Sequence, residues 1–459
     1  MVDYMENEFN MESGNLLKKI IVFTIPIILS SILQLLFNAV DLIVVSKFSN
    51  EISLAAVGST SSLINLIVNV FIGVSVGANV AVARGIGKKD YNRVHKLVHT
   101  AISFSIIAGI LLMIFGIIMS EKLLIMMGTT AECLDLATVY LKIYFSGMIF
   151  NMLYNFGASI LRSAGETKKP LYYLTIAGVA NVILNLILVI GFKMDVAGVA
   201  LGTILSQAIS SILIVLCLMK RTDSVKLELK KLKINLNCLG EMVLIGLPAG
   251  IQGSLFSISN VFIQSAVNSF DSALIVSGNT AASNIEGFVW TAMNGFYQAC
   301  ITFSSRNFGA GKIKNCKKVL YYCLLCVVVT GLFLGISGLV FSDQLLSIYL
   351  NNVDAIDVGK NRMAIIMTTY FICGVMDVLV GGLRGLGYSI VPMIVSVLGV
   401  CGFRLVWIFT IFEYHHTLEN LYVSYPISWF FTGLIHAVSY FIVYKMVKRR
   451  FINKGKIIE

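Results

Sequence analysis

A chain of 459 residues, 57% hydrophobic and only 13% charged, stands far from a soluble domain, in which about a quarter of residues carry charge. That balance excludes a free-standing aqueous protein and points to an all-α polytopic membrane protein. The net charge of +11 would suit a nucleic-acid partner, but its placement along the chain argues against one.

The opening stretch, 1–19, is polar and acidic and reads as a tail rather than a cleavable signal peptide. Twelve apolar spans follow, near residues 20–46, 54–82, 99–119, 134–160, 171–192, 197–219, 242–268, 273–303, 319–341, 361–383, 389–412 and 422–446. With the first tail placed in the cytoplasm, 28 of the 35 Lys and Arg fall in cytoplasmic segments and 5 in outer ones; Lys142 and Arg404 are read as lying within spans. Positive charge prefers the cytoplasmic side, so both termini are expected there, in a cell membrane. The basic charge then reports topology, with the lipid bilayer as partner and no nucleic acid.

An internal repeat divides the chain. Pro26 and Pro248 are 222 residues apart, and so are Pro170 and Pro392. The same offset relates Asn38 to Asn260, Arg84 to Arg306, Gly87 to Gly309, Arg162 to Arg384 and Gly165 to Gly387. Two six-span lobes are expected, 20–219 and 242–447, joined by a charged, solvated linker at 220–241 and followed by a tail at 448–459. Six is even, so the repeats run parallel around a central cleft. The four repeated arginines sit at span ends beside glycines and read as structural.

The first span carries Gln34, Asn38 and Asp41 on one helical stripe. A carboxylate inside a span is costly, by ~2.5–3.5 kcal/mol on insertion scales, and marks a functional site by default. Asn181 and Asn185 share a face of the fifth span and Gln207 lies in the sixth. These six are the candidate cation-coupling residues, for H⁺ or for Na⁺ held at Asp41, Asn181 and Asn185; hard cations prefer oxygen ligands. In the second half, Glu286, Trp290 and Asn294 recur every fourth residue on the eighth span. With Asn260 and Asp377 they are the candidate substrate-cleft residues, an acid beside an aromatic face being a seat for an organic cation. The plain alternative for Glu286 is a pair with a Lys, an Arg or a helix end, and Arg404 is a candidate partner for it or for Asp377. Asp41, Glu286 and Asp377 have Ile263, Ile64 and Asn155 as repeat partners, so the two lobes carry different chemistry.

The fourth span is rich in Tyr144, Phe145, Met148, Phe150, Met152, Tyr154 and Phe156, which suit either a forgiving cavity or the packed interior. The nine cysteines form no disulfide framework or zinc site; Cys323 and Cys326, the nearest pair, lie within an apolar helix. No phosphate loop, HExxH motif or nucleophile elbow occurs, so neither an enzyme nor an ATP-driven pump is expected, and no cofactor beyond the coupling ion.

The chain resembles the multidrug and toxic compound extrusion (MATE) family. The resemblance rests on the first-span proline followed by Asp41, RSAGETKKPL (162–171), VAGVALGTILSQ (196–207) and RNFGAGK (306–312). It implies a monomeric antiporter that admits H⁺ or Na⁺ and exports cationic, amphipathic drugs. The DinF-like branch couples a first-span acid, here Asp41, to a fifth-span Asn and an Asp four residues on. Asn181 matches the first, but Asn185 replaces the second carboxylate. The NorM-like branch uses an acid within the seventh span, where this chain has only Glu241 at the edge. Arg306 stands where the family often has Gln. The rival reading is a flippase for lipid-linked saccharides, which would call for several basic residues in the cleft.

Overall fold

The computed structural model describes residues 10–49 and 51–453; the remainder of the two tails, 1–9 and 454–459, lies outside the described residues. The fold is all-helical. Among the described residues, ten helices are long and apolar enough to cross a membrane. A bent pair, Ala131–Ser146 and Met148–Ser163, meets at 48° and forms an eleventh span. The remaining one, the eighth span (Ala273–Gly309), is 37 residues long, and its interior Gly, Ser, Asn and Thr keep it from standing out on hydropathy. The layout is six plus six. Large apolar side chains such as Ile118, Phe333 and Phe409 face outward, as expected when the surroundings are hydrocarbon rather than water.

The repeat is visible in backbone detail. Gly165 and Gly387 close their tight turns at φ 93° and 92°, a left-handed region that a side chain disfavours. The fifth span (Lys168–Gly191) finishes in a π-helical turn at Leu186–Gly191. The eleventh (Ile390–Phe412) has one at the corresponding place, Ile408–Phe412, and a further one at Val397–Gly402.

The compact units are not simply the two repeats. One comprises the chain up to Ile28 together with everything from Ile251; the other runs from Leu29 to Gly250. Each division falls two residues after a repeat-related proline, Pro26 in the first span (Leu16–Phe48) and Pro248 in the seventh (Leu236–Asn268). Proline removes one backbone hydrogen bond and weakens the helix there. Each repeat has thus exchanged one half-helix with the other, a feature that lobe boundaries at 219 and 242 do not contain.

Within 29–250 the exchanged half-helix is seated by glycine. Gly73 and Gly77 of the second span (Glu51–Gly87) meet Gly246 and Gly250 backbone to backbone, so that a Cβ on any of the four would collide with main-chain atoms. This is reciprocal small-xxx-small packing, which lets two backbones approach closely. Gly77→Val is expected to cut the folded yield severely, whereas Gly240→Val, where a Cβ meets nothing within 4 Å, should leave it intact. Size-exclusion profiles of the two variants in detergent check this, and equal losses would refute the packing argument.

The segment 220–241 is more than a solvated linker. Val225 and Leu227 are fully buried. The Glu228 amide donates to His99 Nε2 and the Asn235 amide to Thr100 Oγ1, each at 3.1 Å. Its lysines remain outside, and Lys231 pairs with Glu228 at 2.8 Å. In the other unit the tenth span (Val353–Gly385) is central, packing against the eighth, the ninth (Ile313–Val340) and the twelfth (Leu418–Asn453). Residues 10–13 cross the RNFGAGK stretch there: Asn307 Nδ2 donates to the Met11 carbonyl at 2.9 Å, and Arg306 pairs with Glu12 at 3.3 Å. Arg306 therefore has a use that an amide could fill only in part.

Candidate functional site

Within 29–250 the six residues proposed for cation coupling converge. Asp41 is 8% exposed and Asn185 fully buried. Asn185 Nδ2 donates to Asp41 Oδ1 at 2.5 Å and sits 3.4 Å from Asn181 Oδ1. Gln34, Asn38, Asp41, Asn181 and Gln207 line a cavity of about 100 Å³, with Phe37, Leu174 and Ala177 as its apolar wall. Gln34 and Asn38 are exposed, so polarity runs from an open edge inward to the carboxylate. Burial of Asn185 follows from sequence: Gly202 of the sixth span (Asp195–Lys220) lies against its side-chain oxygen Oδ1, and a Cβ there would displace it. That oxygen has no hydrogen-bond donor among the described residues.

Thr203 was absent from the sequence expectation, although it precedes Gln207 by one helical turn and so shares its face. Its hydroxyl lies 3.2 Å from Asp41 Oδ2 and 3.0 Å from the Val199 carbonyl. A hydroxyl carries one hydrogen and can accept as well as donate. With Asp41 ionised, Thr203 donates to it. With Asp41 protonated, the acid donates to Thr203, which turns its hydrogen to Val199. No Lys or Arg forms an ion pair with Asp41 among the described residues. The site is an uncompensated carboxylate surrounded by hydrogen-bond donors.

The candidate substrate cleft does not assemble as expected. Glu286 is 4% exposed and Arg362, of the tenth span, also 4%. Two parallel bonds join them, Nε to Oε1 at 2.9 Å and Nη2 to Oε2 at 2.7 Å, and Arg362 Nη1 reaches Asn279 Oδ1 at 2.7 Å. The partner of Glu286 is therefore Arg362, not Arg404. A bidentate pair leaves Glu286 no free charge for an organic cation. Arg362 stands at the rim of the span read from sequence, 361–383, but the helix begins at Val353, which carries it more than two turns inward. Trp290 is 43% exposed. Asn294 is half-buried and Asn260 exposed.

Among the other sequence candidates, Glu241 pairs with Arg93 at 2.5 Å on the surface, away from any span interior. Arg384 is buried, held by Tyr297 and by Gln252 at 2.8 Å. Phe145, Met148, Met152 and Phe156 of the bent fourth span are fully buried, as packing rather than cavity wall.

Comparison with known proteins places these features in a family. The MatE family profile matches twice, at residues 26–187 and 248–410, beginning at the two repeat-related prolines. The chain is similar to the probable multidrug resistance protein YoeA of Bacillus subtilis, 24% identical over 92% of this chain and 91% of that protein. It is also similar to the multidrug export protein MepA of Staphylococcus saprophyticus, 20% identical over 86% and 87%. In fold it matches an outward-facing multidrug resistance MATE family transporter of the MOP superfamily, with a TM-score of 0.88 at 21% identity, covering 96% of this chain and 98% of that one.

Proposed function

Because the chain belongs to the MatE family of membrane transporters, we propose that it is a multidrug efflux protein of the DinF-like kind, working as a secondary antiporter by alternating access. Both termini face the cytoplasm of a cell-membrane protein, and an inward cation drives export of amphipathic organic cations. The observation that carries the reading is Asp41: a buried carboxylate with no basic partner among the described residues, reached through a polar stripe from an open edge. An ionisable group so placed in a membrane span marks an ion or substrate pathway by default.

The donor-rich surroundings exclude Na⁺ more than they exclude H⁺. The Asn185 amide and the Thr203 hydroxyl both aim hydrogens at the carboxylate, and the hydroxyl can reverse when a proton arrives. Sodium would need oxygens in their place, hence a rotated Asn185. The flippase reading gains nothing from Arg362, whose charge Glu286 cancels.

The test is cationic-dye movement in proteoliposomes under an imposed proton gradient and, separately, a sodium gradient of equal size. Proton-driven movement alone is expected. Sodium-driven movement would transfer the coupling role to Na⁺, and movement under neither gradient would overturn the antiporter assignment.

A further inference from the structure

Arg404 lies midway along the eleventh span, between its two π-helical turns. It is 5% exposed. Its Nε donates to Ser428 Oγ at 3.3 Å, and its guanidinium carbon stands 4.0 Å from the centroid of Tyr425 and 5.7 Å from that of Trp429. Arg362 approaches the same Tyr425 ring at 5.4 Å. The two arginines differ in one respect: Glu286 neutralises Arg362, while Arg404 has no carboxylate within ion-pair distance among the described residues. Its two Nη nitrogens have no hydrogen-bond acceptor among the described residues.

A guanidinium has five N–H donors, and here one is used. Ring faces attract the cation but do not accept its in-plane hydrogens. An unpaired charge at mid-span is expensive, and the position is too deep for its head group to reach the interface. A planar fork of free donors backed by aromatic surface is the chemistry that receives a compact anionic group. We propose that Arg404, Tyr425 and Trp429 form an anion subsite for a monoanion, either a halide or the carboxylate or sulfonate of an organic ligand. The subsite does not rest on the coupling role of Asp41, which belongs to the other compact unit.

Trp429 reports on it directly. The chain has three tryptophans, so Trp290→Phe with Trp407→Phe leaves Trp429 as the sole emitter. Titrating the purified full-length protein with sodium iodide at constant ionic strength should give saturable quenching on top of the linear collisional component. Chloride relieving the quenching identifies a halide site. Benzenesulfonate relieving it at far lower concentration identifies an organic-anion site. Arg404→Gln should weaken apparent iodide affinity by about tenfold or more, and Arg404→Lys by less. Competition by chloride or benzenesulfonate needs no Arg404 variant, so the test survives if Arg404→Gln misfolds. Strictly linear quenching that neither anion relieves would overturn the proposal.

Discussion

Replacing Asp41 by Asn is expected to reduce proton-driven dye efflux to passive leak, a loss of about tenfold or more, with folded yield unchanged. The two side chains have the same shape, and the new amide oxygen still accepts from Asn185 Nδ2 where Oδ1 does now. The amide nitrogen takes the place of Oδ2 and donates to the Thr203 hydroxyl, which then donates to Val199. Every hydrogen bond can be remade. What disappears is the capacity to gain and lose a proton, so architecture and coupling are separated by one atom. Efflux from proteoliposomes, read beside thermal unfolding in detergent, makes the comparison. Undiminished proton-driven efflux would remove Asp41 from the mechanism, and a collapse of folded yield would make it a structural residue. Thr203→Val makes a milder probe, since it deletes only the reversible hydroxyl.

The largest effect on stability is expected at Glu286 and Arg362. Removing one member of a buried ion pair strands the other charge, which costs about 3–5 kcal/mol, whereas replacing both with apolar residues of similar volume is often close to neutral. Glu286→Leu and Arg362→Met should each lower unfolding stability by about that amount, and the Glu286→Leu, Arg362→Met double variant by much less than their sum. The second loss at Arg362 is the bond to Asn279, so Arg362→Met should be the worse single variant. Additive losses across the cycle would show that the two side chains act independently. A selective loss of cationic-substrate transport in Glu286→Gln at unchanged stability would restore Glu286 as a substrate anion.

The contrast between Asp41 and Glu286 shows where sequence reading stops. Both are acids in apolar helices, and nothing local to either helix tells them apart. Asp41 keeps its charge open because its neighbours, Asn185 and Thr203, lie 144 and 162 residues away and are neutral. Glu286 is closed because a guanidinium 76 residues away lands on it. Arg404, equally buried, receives no acid among the described residues.

The sequence by itself determined the membrane setting, the twelve helices, the duplication and the polar stripe Gln34–Asn38–Asp41. All are local or periodic properties: hydrophobicity over about 20 residues sets a span, and the helical repeat sets which side chains share a face. Only the tertiary structure decided which buried charges are cancelled, that Thr203 joins the site, and that half-helices change places beyond Pro26 and Pro248. Those outcomes depend on the register and rotation with which separate helices pack, fixed by contacts such as glycine against glycine at Gly73 and Gly250. No single span carries that information, because each contact needs a second helix to exist.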